Sequence, residues 1–463
     1  MLLELHLENF KSWQKLELKL GQVTGLFGTN SSGKSSILQF LLLLKQTKDA
    51  TDRGLVLDLG GQNQLINLGS YKDLIYQHDD ELSLKWSLDW NAESKLKEFC
   101  YTSVTVIVNN KEMKVNSLKY EFNKEYFFEI SIENLAINQY EVEIDLPNPL
   151  ENFENLLPPF NSSEFSDLIS EVVKETPRLS ENFSTLLSPI KTHLFPDKIK
   201  IKDDVRFIEF EYEKLIDKIH YLAPLREYPQ REYQWSGASP SHVGYRGERT
   251  IEAILSATIR NETRIMPYSN EAKPFQEIIA YWLKYLGLIE AFYVKEIADG
   301  TGLYRAIVKI NKQSPETFLT DVGFGVSQVL PALVLLYYVP EGSIILMEQP
   351  EIHLHPSVQS GLADVILYVA KQRNLQVIVE SHSEHLLRRL QRRIAEAQYL
   401  VDELKLYFCH SENGASQLSD LKINHYGEIE NWPANFFGDE MAEIAATRKA
   451  ALKRKIQESA NNA

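Results

Sequence analysis

The sequence predicts a mixed α/β fold, and three observations predict it. A short apolar run, residues 23–27, leads into a glycine-bearing octapeptide and then into an apolar-rich stretch of helical length. Strict alternation of apolar and polar residues marks strands at the start of the chain. More than three hundred residues downstream, a second apolar run, Ile344-Ile345-Leu346-Met347, ends in a carboxylate, Glu348.

In chain order, Leu3, Leu5 and Leu7 alternate with Glu4, His6 and Glu8, which is a half-buried strand. Leu16, Leu18 and Leu20 repeat the pattern after a turn around Lys11 to Gln14. The octapeptide Gly28-Thr29-Asn30-Ser31-Ser32-Gly33-Lys34-Ser35 fits G-x-x-x-x-G-K-[ST]. Its flanking strand (23–27) and helix (34–44) supply the context that a phosphate-binding loop requires. Backbone N–H groups of Asn30 to Lys34 are expected to point inward, adding to the positive end of the helix dipole. Lys34 is expected to reach the β- and γ-phosphates of ATP, and the Ser35 hydroxyl to bind Mg²⁺. Gly28 and Gly33 allow the tight turn, and Ser36 completes the candidate nucleotide-binding stretch.

Strands are then expected over 55–59, 81–90, 103–108, 126–132 and 140–144. Residues 146–204 change character. Pro147, Pro149, Pro158, Pro159, Pro177, Pro189 and Pro196 punctuate short helical stretches such as 164–175, which reads as an inserted helical subdomain or lid. Mixed α/β returns over 205–430, with strands at 219–222, 303–310, 343–347 and 375–379 and helices at 274–286 and 326–338. The division expected is 1–145, 146–204, 205–430 and a tail, 431–463, with an amphipathic helix over 440–459 carrying Arg448, Lys449, Lys453, Arg454 and Lys455.

A chain of 463 residues exceeds one ordinary domain, and a hydrophobic fraction of 44% argues for a folded protein. A net charge of −15 argues against a protein that coats nucleic acid without specificity. No apolar run reaches membrane-spanning length, the first residues read as a charged strand, and the two cysteines, Cys100 and Cys409, form neither a disulfide framework nor a metal pattern. A cytoplasmic protein without a membrane partner is the expectation.

Further segments carry a resemblance. Leu7-Glu8-Asn9-Phe10-Lys11-Ser12 resembles the opening of RecF-, SMC- and OLD-type ATPases. Asp321-Val322-Gly323-Phe324-Gly325-Val326-Ser327-Gln328 resembles their signature motif, Glu348-Gln349-Pro350-Glu351-Ile352-His353-Leu354-His355-Pro356 their Walker B strand and following loop, and Glu380-Ser381-His382-Ser383 their switch-histidine segment. The likeness covers roughly 1–90 and 205–440 and is strongest to OLD-like ABC ATPases that occur with separate effectors in anti-phage islands. The tail Asn431-Trp432-Pro433-Ala434-Asn435-Phe436-Phe437 resembles one uncharacterised subgroup of these.

The resemblance implies a P-loop NTPase with an ABC-type two-lobed head, an antiparallel β lobe near the N-terminus and an inserted helical subdomain. It implies a dimer, or a higher oligomer, that closes around ATP. Gly323, Gly325, Ser327 and Gln328 of one subunit would then meet the nucleotide held by another. Glu348 would hold Mg²⁺ where the wider family has Asp, and His382 would contact the γ-phosphate. Where the family carries a glutamate that positions water, this chain has Gln349, which orients water but cannot act as a carboxylate base. Glu351 is the nearest replacement, and slow hydrolysis is expected. His353 and His355 with Glu351 suggest a metal site or, as the family implies, an interface loop.

Arg388, Arg389, Arg392 and Arg393 share one side of a helix whose other side carries Leu386, Leu390 and Ile394. That face is either solvated or meets DNA phosphate or an acidic partner. Arg226, Arg231, Arg246 and Arg249, near Gly244 and Gly247, read equally as phosphate sensors, DNA contacts or solubilising charges. Gln62, Gln64 and Gln77 are alternatives for the Q-loop glutamine. No D-x-D follows Val379 and no H-N-H pattern or HD pair replaces it, so an effector, a nuclease above all, would act in trans. The sequence therefore leaves three readings: a sensor ATPase for a separate anti-phage effector, a RecF- or SMC-like ATPase that binds double-stranded DNA, or a non-enzymatic scaffold that binds nucleotide only structurally.

Overall fold

The computed structural model describes residues 1–52, 55–61, 64–91, 99–109, 112–122, 126–134, 139–143, 211–269, 271–433 and 448–449. The chain divides into two compact units, Met1–Leu20 with Ser36–Ile219, and Gly21–Ser35 with His220–Ala463. The inserted segment expected over 146–204 lies outside the described residues, as does the tail helix apart from Arg448 and Lys449.

The first unit is built on an antiparallel sheet. Its strands are β1 (Leu2–Phe10), β2 (Trp13–Lys19), β4 (Leu84–Asn91), β5 (Phe99–Asn109), β6 (Glu112–Phe122), β7 (Tyr126–Asn134) and β8 (Gln139–Glu143), in the order β2-β1-β4-β5-β6-β7-β8. Alternation decides which face is apolar. Leu5 and Leu7 of β1 stand opposite Leu18 and Leu16 of β2, and opposite Leu88 and Trp86 of β4. Helix α1 (Lys34–Asp49) packs there, with the Phe40 ring edge-on to Phe10 at 5.2 Å and to Trp86 at 5.7 Å between centroids. Residues 55–59, expected as a strand, are not one. Side chains of α1 satisfy their backbone instead: the Asp58 N–H donates to Thr47 Oγ1 at 2.9 Å, and Gln46 Nε2 donates to the Asp58 carbonyl at 2.9 Å. A one-turn helix, α2 (Tyr71–Leu74), follows. Of the Q-loop alternatives, Gln64 donates to Asp58 and Gln77 to Tyr76, while Gln62 lies outside the described residues.

The second unit contains β3 (Val23–Gly28), β9 (Ile219–Leu222), β16 (Ile344–Glu348), β17 (Gln376–Glu380), β18 (Leu404–Glu412) and β19 (Ala415–Asp420), ordered β19-β18-β3-β17-β16-β9. Strands β18, β3, β17 and β16 run parallel, and every residue of β3, β16 and β17 is buried. That explains why these strands are mainly apolar and lack polar alternation, with Thr24 and Gln376 as buried polar exceptions, since a parallel sheet covered on both faces has no polar side. A small sheet joins β10 (Tyr233–Gln234), β13 (Ala291–Glu296), β14 (Leu303–Lys309) and β15 (Thr317–Phe318), and β11 (Thr263–Ile265) pairs with β12 (Ala272–Pro274).

Helices α3 (Thr250–Ile259), α4 (Phe275–Tyr285), α5 (Phe324–Tyr338), α6 (Pro356–Gln372) and α7 (Glu384–Ala395) belong to the same unit. Its core centres on Trp282 and Tyr337, whose polar ends satisfy one another at 2.9 Å. Helix α7 buries Leu386, Leu387, Leu390 and Ile394. Its basic side is not the free surface that the sequence left open. Arg389 and Arg393 both bind the buried Asp364 of α6, Arg393 through Nε at 2.6 Å, while Arg392 pairs with Glu396 and Arg388 with Glu384. No helix among the described residues is long and apolar enough to cross a membrane.

Candidate nucleotide-binding site

Because β18, β3, β17 and β16 are parallel, their C-terminal ends line one edge of the sheet, where open α/β sheets bind ligands. Strand β3 ends at Gly28, with φ 140°; a Cβ there would lie 2.0 Å from the Cys409 carbonyl oxygen of β18. No side chain fits, and the loop departs from a strand pressed against its neighbour. Ser31 at φ 59° and Gly33 at φ 86° complete the turn. Thr29, Asn30 and Ser31 are exposed, whereas Ser32 and Lys34 are buried beneath them. The Lys34 ammonium donates to the Gly28 and Thr29 carbonyls at 3.2 and 2.6 Å, at the centre of its own loop. Burial pushes its pKa down. Ser36 follows, half-buried, in the first turn of α1.

The acidic side of the site comes from the two neighbouring strands. Glu348 ends β16 and Glu380 ends β17, and the parallel register pairs them directly. Ser35 Oγ donates to Glu380 Oε1 at 2.9 Å, and the Tyr221 hydroxyl donates to Glu348 Oε1 at 2.9 Å. Burial, and then the neighbouring Glu380, pushes the Glu348 carboxyl up to about 7. Glu380 is raised by burial too, with Ser35, Lys34 and Gln349 pulling the other way. Two carboxylates and a serine hydroxyl are the kind of oxygen set that holds a hard cation. Glu380 Oε2 is buried and has no hydrogen-bond partner, which leaves an oxygen for such an ion. The residues present therefore fit a magnesium-bound triphosphate.

Gln349 follows Glu348 in the left-handed region, at φ 43°, and its N–H donates to the Glu380 carbonyl at 2.8 Å. A non-glycine residue held there stores strain that the strand pairing must offset. Glu351 does not face solvent as a free base. It is buried, and its Oε1 accepts from Ser381 Oγ at 2.7 Å and from the His382 N–H at 2.9 Å. Glu351 thus fixes the turn that carries His382. Burial first, and Lys34 second, push the His382 pKa down, while a hydrogen bond to the Gly28 backbone opposes the shift. Ser383 then caps α7 by accepting from the Leu386 N–H at 3.0 Å.

The structure thus brings Lys34, Ser35, Glu348, Gln349, Glu351 and His382 to one edge. The signature residues sit apart, at the start of α5. Gly323 precedes the helix and is exposed, as is Phe324, and Gly325 lies in the first turn. Ser327 and Gln328 are buried, and Ser327 Oγ donates back to the Phe324 carbonyl at 2.9 Å. His353 lies against the Phe324 ring, 6.4 Å between centroids, and His355 Nδ1 caps α6 by accepting from the Ser357 N–H at 3.3 Å. With Glu351 committed to Ser381 and His382, these histidines form no metal cluster among the described residues.

Sequence reasoning did not assign Glu380 or Tyr221 to the site. The signal for Glu380 was present as a charged residue directly after the apolar run Val377-Ile378-Val379, but only the register beside β16 and β3 gives it a role.

Residues 1–387 match the family described as "AAA ATPase domain", and residues 401–446 match one described as "Protein of unknown function (DUF3696)". No curated protein matches. Among solved structures, a SmcHead bound to the C-winged helix domain of ScpA is 12% identical, with a TM-score of 0.41, covering 91% of this chain and 97% of that one. The SMC head domain from Thermotoga maritima is 11% identical, with a TM-score of 0.39, covering 91% and 99%. An Smc head domain with an extended coiled coil, bound to the C-terminal domain of ScpA derived from Pyrococcus furiosus, is 12% identical, with a TM-score of 0.37, covering 91% and 96%.

Proposed function

We propose, from the premise that this chain belongs to the AAA ATPase domain family, that it is an ABC-type switch closed by ATP and opened by slow hydrolysis. The observation that carries this reading is the alignment of Lys34, Ser35, Glu348 and Glu380 along one sheet edge, with Ser35 and Glu380 in direct contact. The P-loop amides and Lys34 bind the phosphates. Ser35 Oγ, Glu348 and Glu380 would hold Mg²⁺, which would neutralise charge on the phosphate oxygens. Gln349 orients water but takes no proton, so turnover is slow. Glu351 holds His382 against the loop. Exposed Gly323 and Phe324 suit a second copy closing over the nucleotide, with Ser327 and Gln328 supporting the turn from inside.

The closed dimer, or a higher oligomer, holds or releases a separate effector, a nuclease in an anti-phage setting; that step rests on family likeness. The pairing of Arg389 and Arg393 with Asp364 takes two charges from the helix face that a double-stranded DNA contact would use, so the effector reading is preferred to a DNA-maintenance ATPase.

Light scattering tests the switch. Mg·ATP should double the mass of the wild type and leave Lys34→Ala unchanged. A mass independent of nucleotide in both proteins would replace the clamp with a preassembled scaffold.

A further inference from the structure

The phosphate loop and its carboxylates leave Arg226 unexplained. It lies four residues beyond the end of β9, the strand beside β16. Its segment is held by backbone bonds on both sides, Ala223 N–H to the Tyr245 carbonyl at 2.7 Å and Glu227 N–H to the Arg246 carbonyl at 2.8 Å. The residue is 5% exposed. None of its three guanidinium nitrogens has a hydrogen-bond partner, and it forms no ion pair among the described residues. A buried, unpaired cation of this kind is costly to the fold, so such groups are retained where an anion meets them.

The surroundings say which anion. Arg226 lies within electrostatic reach of Glu348 and Glu351, yet beyond ion-pairing distance of both. Burial lowers its pKa to about 10, so it stays protonated at neutral pH. The strands run β3, β17, β16, β9; Lys34, after β3, is electrostatically close to Glu380 at the end of β17, and Arg226, after β9, to Glu348 at the end of β16. Two cations bracket a pair of carboxylates. A divalent ion on the carboxylates and a phosphate between the two cations would give partners to Glu380 Oε2 and to the Arg226 guanidinium.

The other arginines of this stretch do not compete for the role. Arg231 pairs with Asp321 at 2.8 Å, and Arg246 and Arg249 are exposed.

We infer that Arg226 is a phosphate-contacting residue that reads the terminal phosphate of a nucleoside triphosphate and so separates ATP from ADP. The inference rests on the ATP reading above and adds the group that distinguishes the two nucleotides. A planar guanidinium with all its donors free suits a phosphate's spread oxygens better than an ammonium does. The segment bonded to that of Arg226 through the Arg246 carbonyl continues to Gly247, at φ 78°, where a Cβ would lie 2.6 Å from Pro331 of α5.

The test is titration calorimetry with Mg²⁺ and either a non-hydrolysable ATP analogue or ADP, on wild type, Lys34→Ala, Arg226→Met and Arg226→Lys. Arg226→Met should bind the analogue about thirtyfold more weakly, the scale of losing one or two charge-assisted hydrogen bonds, and bind ADP within about twofold of wild type. Its melting temperature without nucleotide should equal or exceed the wild type's, since a buried unpaired charge has gone. Arg226→Lys should lose about tenfold for the analogue alone. Equal losses for both nucleotides, or none in either variant, would overturn the inference. If Arg226→Met does not fold, an Arg226→Lys protein with wild-type selectivity overturns it by itself. Failure of the wild type to bind either nucleotide would instead sink the ATP reading, and Lys34→Ala marks that case separately.

Discussion

Replacing Glu348 by Gln should change stability in opposite directions with and without the ligand. Without a cation, the buried Glu348 carboxyl has its pKa raised from 4.5 to about 7, by burial first and by Glu380 second. Between those values the folded protein binds a proton that the unfolded chain has released, so stability rises as pH falls through 7 and levels off below 4.5. At about pH 8 the ionised carboxylate costs the fold about 3 kcal/mol, and about 2 kcal/mol of that is recovered by about pH 5.5. Glu348→Gln keeps an acceptor for the Tyr221 hydroxyl and cannot ionise. Urea unfolding at the two pH values should therefore find the variant more stable than wild type at the higher one, by about 3 kcal/mol, with the gap narrowing toward 1 kcal/mol at the lower. Glu351 and Glu380 are raised too and remain in the variant, so the difference between the two proteins is the readout, not either slope alone. Saturating Mg·ATP should reverse the order, stabilising wild type by several kcal/mol and the variant by little. A variant less stable than wild type at the higher pH without ligand, or equally stabilised by Mg·ATP, would refute the placement of Glu348 as a buried metal carboxylate.

Two further outcomes follow from the packing. Gly28→Ala should destabilise by about 3 kcal/mol or prevent folding, because a methyl group would meet the Cys409 carbonyl at 2.0 Å on a backbone with φ 140°; thermal unfolding measures it, and a loss below about 1 kcal/mol would mean β3 and β18 are not in register. Asp364→Ala removes the carboxylate from Arg389 and leaves Arg393 only Glu396, and should cost about 3 kcal/mol by urea unfolding, whereas Arg388→Ala, at an exposed pair, should cost under about 1 kcal/mol.

Much of the site was legible because its signals are local. The phosphate loop is contiguous, and its glycines, lysine and serine are fixed by backbone geometry within eight residues. The apolar strands before Glu348 and Glu380 were legible because burial on both faces removes alternation. Strand β6 was missed for the opposite reason. Thr105 pairs with Ser117 and Val106 with Val115, so Asn116 is extra, and the bulge breaks the period of two. Strand β18 also escaped, although it is the other parallel neighbour of β3.

By itself the sequence determined the chemistry carried by single short segments: a P-loop, an acidic strand end, a histidine after a second strand. Only the tertiary structure decided what those segments do for one another. Register set Glu380 beside Glu348 and put it in contact with Ser35; it turned Glu351 inward to hold His382; it left Arg226 buried without a partner; and it gave Arg389 and Arg393 to Asp364. The physical reason is that hydrogen bonds and charge pairs act over a few ångströms, while these partners stand 25 to more than 300 residues apart in the chain.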